Sequence, residues 1–157
     1  MIRVGQGFDV HAFSDDDGRP LVLGGVVFAG ERGLRGHSDA DVIAHACTDA
    51  LLGACGLGDV GHHFPDTDER WKDADSITML THVVRLLSDK GWRAVNIDCS
   101  VVCESPKLAP LRDEICRRLT QTVGAPVSVK GKRAEGLGAL GRGEGIACWA
   151  VALVERE

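Results

Sequence analysis

A length of 157 residues predicts a single domain, and the 44% hydrophobic and 26% charged residues are typical of a globular protein. The net charge of −5 argues against general nucleic-acid binding, and no apolar run is as long as a membrane span. The chain starts in a strand-like pattern without a signal peptide, and its six cysteines contain no C-x-x-C pair. We therefore expect a cytoplasmic protein with reduced thiols and with neither nucleic acid nor membrane as a partner.

The first third of the chain predicts a strand, a hairpin and a helix. Apolar and polar residues alternate loosely over residues 2–11, which also contain two glycines; this indicates a strand whose end leads into a functional site. Residues 21–23 and 26–28 are short apolar runs on either side of a Gly-Gly pair, the pattern of a small hairpin. Ser38 followed by Asp41 resembles a capping box, so we expect a helix to begin at Ser38.

Helices and strands continue to alternate through the rest of the chain. In order, we expect a glycine- and aspartate-rich loop at 53–70, a helix capped by Ser76, a strand at 94–104, a helix ending at Gly124, and strands at 127–130 and 146–154. The last strand is apolar on both faces, so we expect both to be buried, with another subunit as a candidate cover. The predicted fold is α/β of the α+β type, in which residues 1–157 form one compact domain with one mixed sheet and helices on one side.

Three side chains form a candidate metal site. Asp9 and His11 are two residues apart and therefore lie on one face of an extended segment, while His45 comes from the following helix. Three protein ligands leave a tetrahedral zinc ion with one open position, the arrangement of a catalytic site. Asp41, one turn before His45, is a candidate to orient its ring. The competing interpretation is a surface carboxylate beside a half-buried histidine.

Two further regions suit an anionic ligand. His37 and Ser38 precede the first long helix, whose N-terminus favours phosphate, although on this pattern alone a plain capping serine is the more common explanation. Lys130 to Arg133 form a basic cluster before a glycine-rich stretch, which suits a polyanionic small molecule but is not a P-loop. The aspartates of residues 58–68 can accept sugar hydroxyls or simply form turns. We treat His62 and His63 as exposed.

Read together, the motifs identify a family. The strings RVGQGFDVH, GHSDADVIAH, GLGDVG, FPDTD, SPK and GRGEGIA occur in this order across essentially the whole chain. They closely resemble the 2-C-methyl-D-erythritol 2,4-cyclodiphosphate synthases of the non-mevalonate isoprenoid pathway. The resemblance implies a homotrimer with active sites between neighbouring subunits, and it implies the cytoplasmic synthesis of an isoprenoid precursor.

The resemblance also implies roles for single residues. Asp9, His11 and His45 match zinc ligands, Glu135 matches a contact to Mg²⁺ or Mn²⁺ on the diphosphate, and His37 matches a group that stabilises the transition state. The positions that match substrate contacts are Ser38, Asp59, Gly61, Phe64, Pro65, Asp66, Thr67, Asp68, Cys103, Ser105, Pro106, Lys107, Leu108, Lys132, Ala134 and Arg142. Phe8, together with Arg142, matches the mouth of a central cavity that holds an isoprenoid diphosphate in some members.

The implied activity is that of a CMP-releasing phosphorus–oxygen lyase. The 2-phosphate of 4-diphosphocytidyl-2-C-methyl-D-erythritol 2-phosphate attacks the β-phosphorus, which closes a cyclic diphosphate and expels CMP. One departure concerns Lys132, Arg133 and Ala134, which replace the threonines common in the family. One interpretation is that the Arg133 guanidinium replaces the lost hydroxyl in stabilising the transition state; the alternatives are that it changes the nucleotide contacts or slows the reaction. Ala139 also replaces a common aromatic residue. Two alternatives stay open: a zinc phosphohydrolase, and a binding protein for a nucleotide or an isoprenoid diphosphate.

Overall fold

The computed structural model describes residues 1–156, so Glu157, the last residue of the predicted domain, lies outside the described part. The elements are β1 (Ile2–Ala12), β2 (Leu21–Leu23), β3 (Val26–Phe28), α1 (Val42–Cys55), α2 (Val60–His63), a 3₁₀ turn (Glu69–Trp71), α3 (Ser76–Asp89), β4 (Arg93–Val102), α4 (Arg112–Val123), β5 (Val127–Lys132), α5 (Gly138–Gly141) and β6 (Gly145–Glu155). Strands and helices thus alternate much as predicted.

The main sheet has four strands in the order β1-β6-β4-β5. Strands β1 and β4 run antiparallel to β6, while β5 runs parallel to β4, which confirms the predicted mixed sheet with helices on one side. Strands β2 and β3 pair separately as the predicted hairpin. Because β1, β4 and β5 point in the same direction, their C-terminal ends meet at one edge of the sheet.

Helix α1 lies directly on the backbone of β1. A Cβ atom on Gly7 would stand 2.0 Å from the carbonyl oxygen of Ala46, and one on Gly5 would stand 2.0 Å from that of Ala50. No side chain fits between the two backbones at these positions, so glycine is required by close approach. The contact holds the first turn of α1, which carries His45, above the end of β1.

The N-terminus of α1 differs from the prediction. The cap is Asp41 rather than Ser38, and its carboxylate accepts hydrogen bonds from two amides of the first turn. The same carboxylate also accepts from the Gly24 and Gly25 N–H groups of the β2–β3 turn, at 2.8 and 2.6 Å. One buried aspartate therefore satisfies both elements, which explains why the helix begins four residues after Ser38.

Two further boundaries differ. Asp75 is the cap of α3 and Ser76 is the first helical residue, because the Asp75 carboxylate accepts the N–H of Ile77. The predicted loop at 53–70 contains the end of α1, all of α2 and most of the 3₁₀ turn, and Asp59 and Asp68 cap the two short pieces.

One face of β6 is exposed in this structure of a single chain, so burial of both faces stays a prediction that requires another subunit as cover. Residues on the helix side of β6 are fully buried, whereas Trp149 and Val151 on the other side are 40% and 47% exposed. Phe8 and Val10 lie beside them on β1, and the Phe8 and Trp149 ring centroids are 4.8 Å apart. We call these four residues the open face. The homotrimer stays a prediction.

All six cysteines are free thiols, as the sequence analysis predicts. Cys116 is half-buried and the other five are buried. No helix within residues 1–156 has both the length and the apolar character needed to cross a membrane.

Candidate active site

The three predicted metal ligands converge on one point. The Asp9 Oδ2 atom lies 2.9 Å from His11 Nε2 and 3.0 Å from His45 Nδ1, and the two nitrogens are 3.3 Å apart. Asp9 and His11 come from the end of β1, and His45 comes from the first turn of α1. This cluster can hold a metal ion, as the sequence predicted.

The donor atoms also fit the chemistry of a metal site. The Nδ1 atom of His11 lies 2.8 Å from the carbonyl oxygen of Arg35, which can only accept a hydrogen bond. Nδ1 of this ring therefore carries a proton, so the neutral ring presents its Nε2 lone pair to the cluster, as metal binding requires. A tetrahedral ion with ligand bonds of about 2.0–2.1 Å separates its ligand atoms by about 3.3 Å. The observed separations of 2.9–3.3 Å are close to that value.

Charge within the cluster is stabilised mutually. Burial alone would raise the pKa of Asp9, but hydrogen bonds from His11 and His45 outweigh it and hold the pKa well below its usual range. Burial would likewise lower the pKa of His45, but the hydrogen bond and charge of Asp9 outweigh it and raise the pKa. Without metal, the two groups therefore favour an ion pair.

The far side of the His45 ring faces two serines. Its Nε2 atom lies 2.8 Å from the hydroxyl of Ser76 and 3.2 Å from that of Ser38. The prediction that Asp41 orients this ring is wrong, because the Asp41 carboxylate is occupied by helix and hairpin amides. The contact with Ser76 was missed, since nothing in the sequence links two residues 31 positions apart.

The segment that carries His37 and Ser38 is fixed next to the cluster. The Arg19 guanidinium donates to the backbone carbonyls of Leu34 and Ser38, and Ser38 itself is buried. The His37 Nε2 atom lies 3.1 Å from the carbonyl oxygen of Asp68. The last residue of the FPDTD string is thereby joined to His37.

The rest of residues 58–68 has mixed roles. Asp59 caps α2, and Phe64 packs edge-on against Trp71 with ring centroids 4.7 Å apart. The other predicted contacts in this loop are Gly61, Pro65, Asp66 and Thr67, which are exposed or half-buried. His63 is half-buried rather than exposed, because its Nε2 atom bonds to the Leu57 carbonyl at 2.7 Å.

A cavity of about 340 Å³ lies where β4 and β5 end. Its lining carries the positive charges of Lys107, Lys132, Arg133 and Arg112, so it suits an anion. The complete lining is Cys103, Glu104, Pro106, Lys107, Leu108, Ala109, Arg112, Gly131, Lys132 and Arg133. Most lie in the segment 103–109, which the resemblance assigns to the cytidine end, or in the basic cluster, whereas Arg112 was missed because only the fold brings it to this position. Predicted Ser105 contacts Cys103, whose thiol donates to the Ser105 carbonyl.

Glu104 holds the segment that follows β5. Its Oε1 atom accepts the N–H of Ala134 at 2.6 Å, and its Oε2 atom lies 3.9 Å from Arg133 Nε. Glu135 comes next, exposed and with a positive φ of 54°. Predicted Arg142 lies outside the cavity lining and pairs with Glu144 at 2.6 Å.

The metal cluster and the cavity are separate within one chain. Both lie at the end of the sheet where β1, β4 and β5 terminate, but β1 and β5 are its outermost strands. Three strand spacings of about 4.8 Å place them about 14 Å apart. Phe8 neighbours Asp9 in sequence but lies on the open face, away from the cluster.

Known proteins match this chain over its whole length. The model of the YgbB family matches residues 2–155. The 2-C-methyl-D-erythritol 2,4-cyclodiphosphate synthase of Rubrobacter xylanophilus is 57% identical over 158 residues, which cover 98% of this chain and 95% of that protein.

Two solved structures share the fold. The bifunctional IspDF of Campylobacter jejuni has a TM-score of 0.94 and 39% identity; the match covers 100% of this chain but only 43% of that longer one. The CDP complex of Plasmodium falciparum IspF has a TM-score of 0.86 and 32% identity, and covers 99% of this chain and 97% of that one. These findings confirm the resemblance seen in the motifs: the chain belongs to the YgbB family, together with the 2-C-methyl-D-erythritol 2,4-cyclodiphosphate synthases.

Proposed function

We propose that this chain converts 4-diphosphocytidyl-2-C-methyl-D-erythritol 2-phosphate to 2-C-methyl-D-erythritol 2,4-cyclodiphosphate and CMP. This makes it a CMP-releasing phosphorus–oxygen lyase of non-mevalonate isoprenoid precursor synthesis. The observation that carries the proposal is the convergence of Asp9, His11 and His45 in a chain that matches synthases over its full length.

The donor set favours zinc at the cluster, since one carboxylate and two imidazoles are typical ligands of that ion. Glu135 offers an exposed carboxylate for Mg²⁺ or Mn²⁺, which are usually bound through one or two carboxylates together with phosphate oxygens. When bound, the metal ions supply positive charge that polarises phosphoryl oxygens and neutralises the developing negative charge.

The reaction needs no protein nucleophile. An oxygen of the substrate's 2-phosphate forms a bond to the β-phosphorus, and the bond from that phosphorus to the bridging oxygen breaks. CMP leaves with the electron pair. The chain's residues act by positioning and by charge: His37 and Ser38, held by Arg19 and Asp68, orient the phosphate on the metal side, and Arg133 offers guanidinium donors to a phosphoryl oxygen.

The cavity at the ends of β4 and β5 suits the cytidine end of the substrate. Lys107, Lys132 and Arg133 supply cations for the diphosphate, while Leu108 and Pro106 supply apolar surface. The relative from Plasmodium falciparum was solved with CDP, which supports a cytidine ligand.

A homotrimer accounts for two features together. The open face exposes four large apolar residues, which a second copy would remove from water. The cluster and the cavity share no residue within one chain, so a site formed by the cluster of one subunit and the cavity of its neighbour agrees with this structure.

A ³¹P NMR time course with the cytidine substrate, zinc-loaded protein and Mg²⁺ tests the proposed activity. We expect the signals of CMP and of a cyclic diphosphate to grow together. Release of inorganic phosphate would instead identify a zinc phosphohydrolase. Unchanged substrate with saturable binding would identify a binding protein that lacks catalysis.

A further inference from the structure

The His45 ring has one nitrogen in the metal cluster and the other in a buried polar pocket. Its Nδ1 atom faces Asp9 and His11, and its Nε2 atom faces the hydroxyl of Ser76 at 2.8 Å. Ser76 is fully buried and does not cap its own helix, because Asp75 takes that role. Its hydroxyl is therefore free to act on the imidazole.

Asp39 sets the direction of that hydrogen bond. Its carboxylate, which can only accept, receives the N–H of Asp41 at 3.1 Å, the N–H of Ser76 at 3.0 Å and the hydroxyl of Ser76. A serine hydroxyl has a single proton, and here it points to Asp39. The Ser76 oxygen must therefore accept from His45, which places the imidazole proton on Nε2.

A proton on Nε2 leaves the Nδ1 lone pair of His45 directed at the cluster, where a metal needs it. Ser38 is a second, longer partner of the same nitrogen, since its oxygen lies 3.2 Å from Nε2 and also accepts the Ala40 N–H at 3.3 Å. With the opposite tautomer, the proton would point at Asp9 and His11 and block ligation.

We propose that Asp39 and Ser76 are positioning residues that fix the tautomer and orientation of His45, so that this histidine binds metal through Nδ1. Neither residue contacts the donor atoms that face the metal: Ser76 contacts only the far nitrogen of His45, and Asp39 acts through Ser76. The inference rests on the proposed metal site. Groups that orient a metal-bound histidine in this way change metal affinity by about 10–100-fold when removed.

Metal affinity is the direct test, measured by Co²⁺ titration in visible absorbance and by competition with zinc. We expect Ser76→Ala to bind Co²⁺ about 10-fold more weakly or worse than wild type. Ser88→Ala is the matched control, because Ser88 is exposed at the other end of the same helix and should bind like wild type.

Long-range ¹H–¹⁵N spectra of zinc-loaded, histidine-labelled protein identify which nitrogen carries the proton. We expect His45 to be protonated at Nε2 and bound to metal through Nδ1. In zinc-loaded Ser76→Ala protein we expect this single pattern to be lost, whereas a purely structural role of Ser76 would leave the His45 pattern as in wild type. A spectrum with zinc on Nε2 of His45 would overturn the inference.

Two further variants separate positioning from folding. Asp39→Ala frees the Ser76 hydroxyl to donate to Nε2, so we expect weaker Co²⁺ binding although the serine is intact; Ser76→Thr keeps a hydroxyl and should bind more tightly than Ser76→Ala. If Ser76→Ala and Asp39→Ala fold and bind Co²⁺ like the Ser88→Ala control, the inference is wrong. Absence of metal binding by wild-type protein would instead remove the proposed metal site, and this inference with it.

Discussion

The two ends of the candidate active site are built differently. At the end of β1, the ligand side chains are half-buried or buried, and every ring nitrogen of His11 and His45 has a partner. At the ends of β4 and β5, Lys107, Lys132 and Arg133 are exposed and line an open cavity. The first end is arranged before any ligand arrives, whereas the second depends on flexible cationic side chains.

This difference predicts where the chain should tolerate substitution. The metal cluster depends on a backbone contact between β1 and α1 and on hydrogen bonds with fixed directions, so few substitutions preserve it. The cavity supplies charge at the tips of long side chains, and a basic run in place of threonines keeps an anion site. Four predictions, in order of expected size, test the contrast.

Replacing His45 with alanine should have the largest effect on the metal cluster at the end of β1. We expect His45→Ala to lose bound zinc and to lower the rate of CMP formation by about 10²–10³-fold or more, because the metal's charge at the phosphate is lost. Metal analysis and the ³¹P NMR assay measure both effects. His82→Ala, an exposed histidine on α3, is the control and should retain zinc and activity. Full activity in metal-free His45→Ala protein would contradict the zinc proposal.

Gly7→Ala disrupts the backbone contact between β1 and α1 beneath the cluster. The new Cβ would meet the Ala46 carbonyl oxygen at 2.0 Å, so we expect a loss of about 3 kcal/mol in the free energy of unfolding, with reduced zinc content. Gly53→Ala is the matched control on α1: its Cβ meets nothing closer than 3.9 Å, and alanine should stabilise the helix by about 0.5–1 kcal/mol. Urea denaturation measures both, and equal stabilities would refute the close-packing argument.

The ion pair of the metal-free cluster gives a pH-dependent stability. Because the pKa of Asp9 is lowered on folding, its contribution is present above about pH 4 and is lost as the pH falls through the native pKa. Because the pKa of His45 is raised, its contribution is complete below about pH 6.5 and is lost as the pH rises through the native value.

The difference in free energy of unfolding between wild type and Asp9→Asn should therefore be largest, about 2 kcal/mol, between about pH 4 and 6.5. Urea midpoints in the presence of a chelator, taken from pH 3 to 9, measure this difference. A difference that is constant across the range would show that the pair does not titrate on folding as described.

Arg133→Thr tests the cavity at the ends of β4 and β5 and has the smallest expected effect. The Arg133 side chain is 60% exposed, so we expect the free energy of unfolding to stay within about 0.5 kcal/mol of wild type. The affinity for CMP, measured by calorimetry, should fall a few-fold because a cation is lost from the cavity. Arg117→Thr, on the exposed face of α4, is the matched control for loss of charge. Identical CMP affinities in the two variants would exclude Arg133 from the nucleotide site.

The same contrast decides what the sequence could predict. Asp9 and His11 were found because strand alternation puts them on one face, and His45 because it follows on the next helix. Asp39 and Ser76 were missed, since their role depends on two helix starts that meet only in the fold. The cap of α1 was misplaced because Asp41 also binds the Gly24–Gly25 turn, a long-range contact that no local capping pattern contains.

Burial of β6 shows a different limit. Its apolar pattern predicts a strand covered on both sides, with another subunit as a candidate cover, whereas the structure of one chain covers only the side beneath α1. A sequence pattern can describe an interface that a single chain does not contain, so the open face is where we expect the proposed subunit contact.

Strand β1 connects two binding equilibria: that of the metal, and that of the partner that covers the open face. Odd-numbered Asp9 and His11 point to the metal cluster, while even-numbered Phe8 and Val10 point to the open face, so one stretch of backbone serves both. Whatever covers the open face acts on the strand that places two ligands. Thermodynamic linkage is reciprocal, so if subunit association tightens metal binding, metal must tighten association by the same factor. Zinc affinity measured on dilute protein would then differ from that of the concentrated protein.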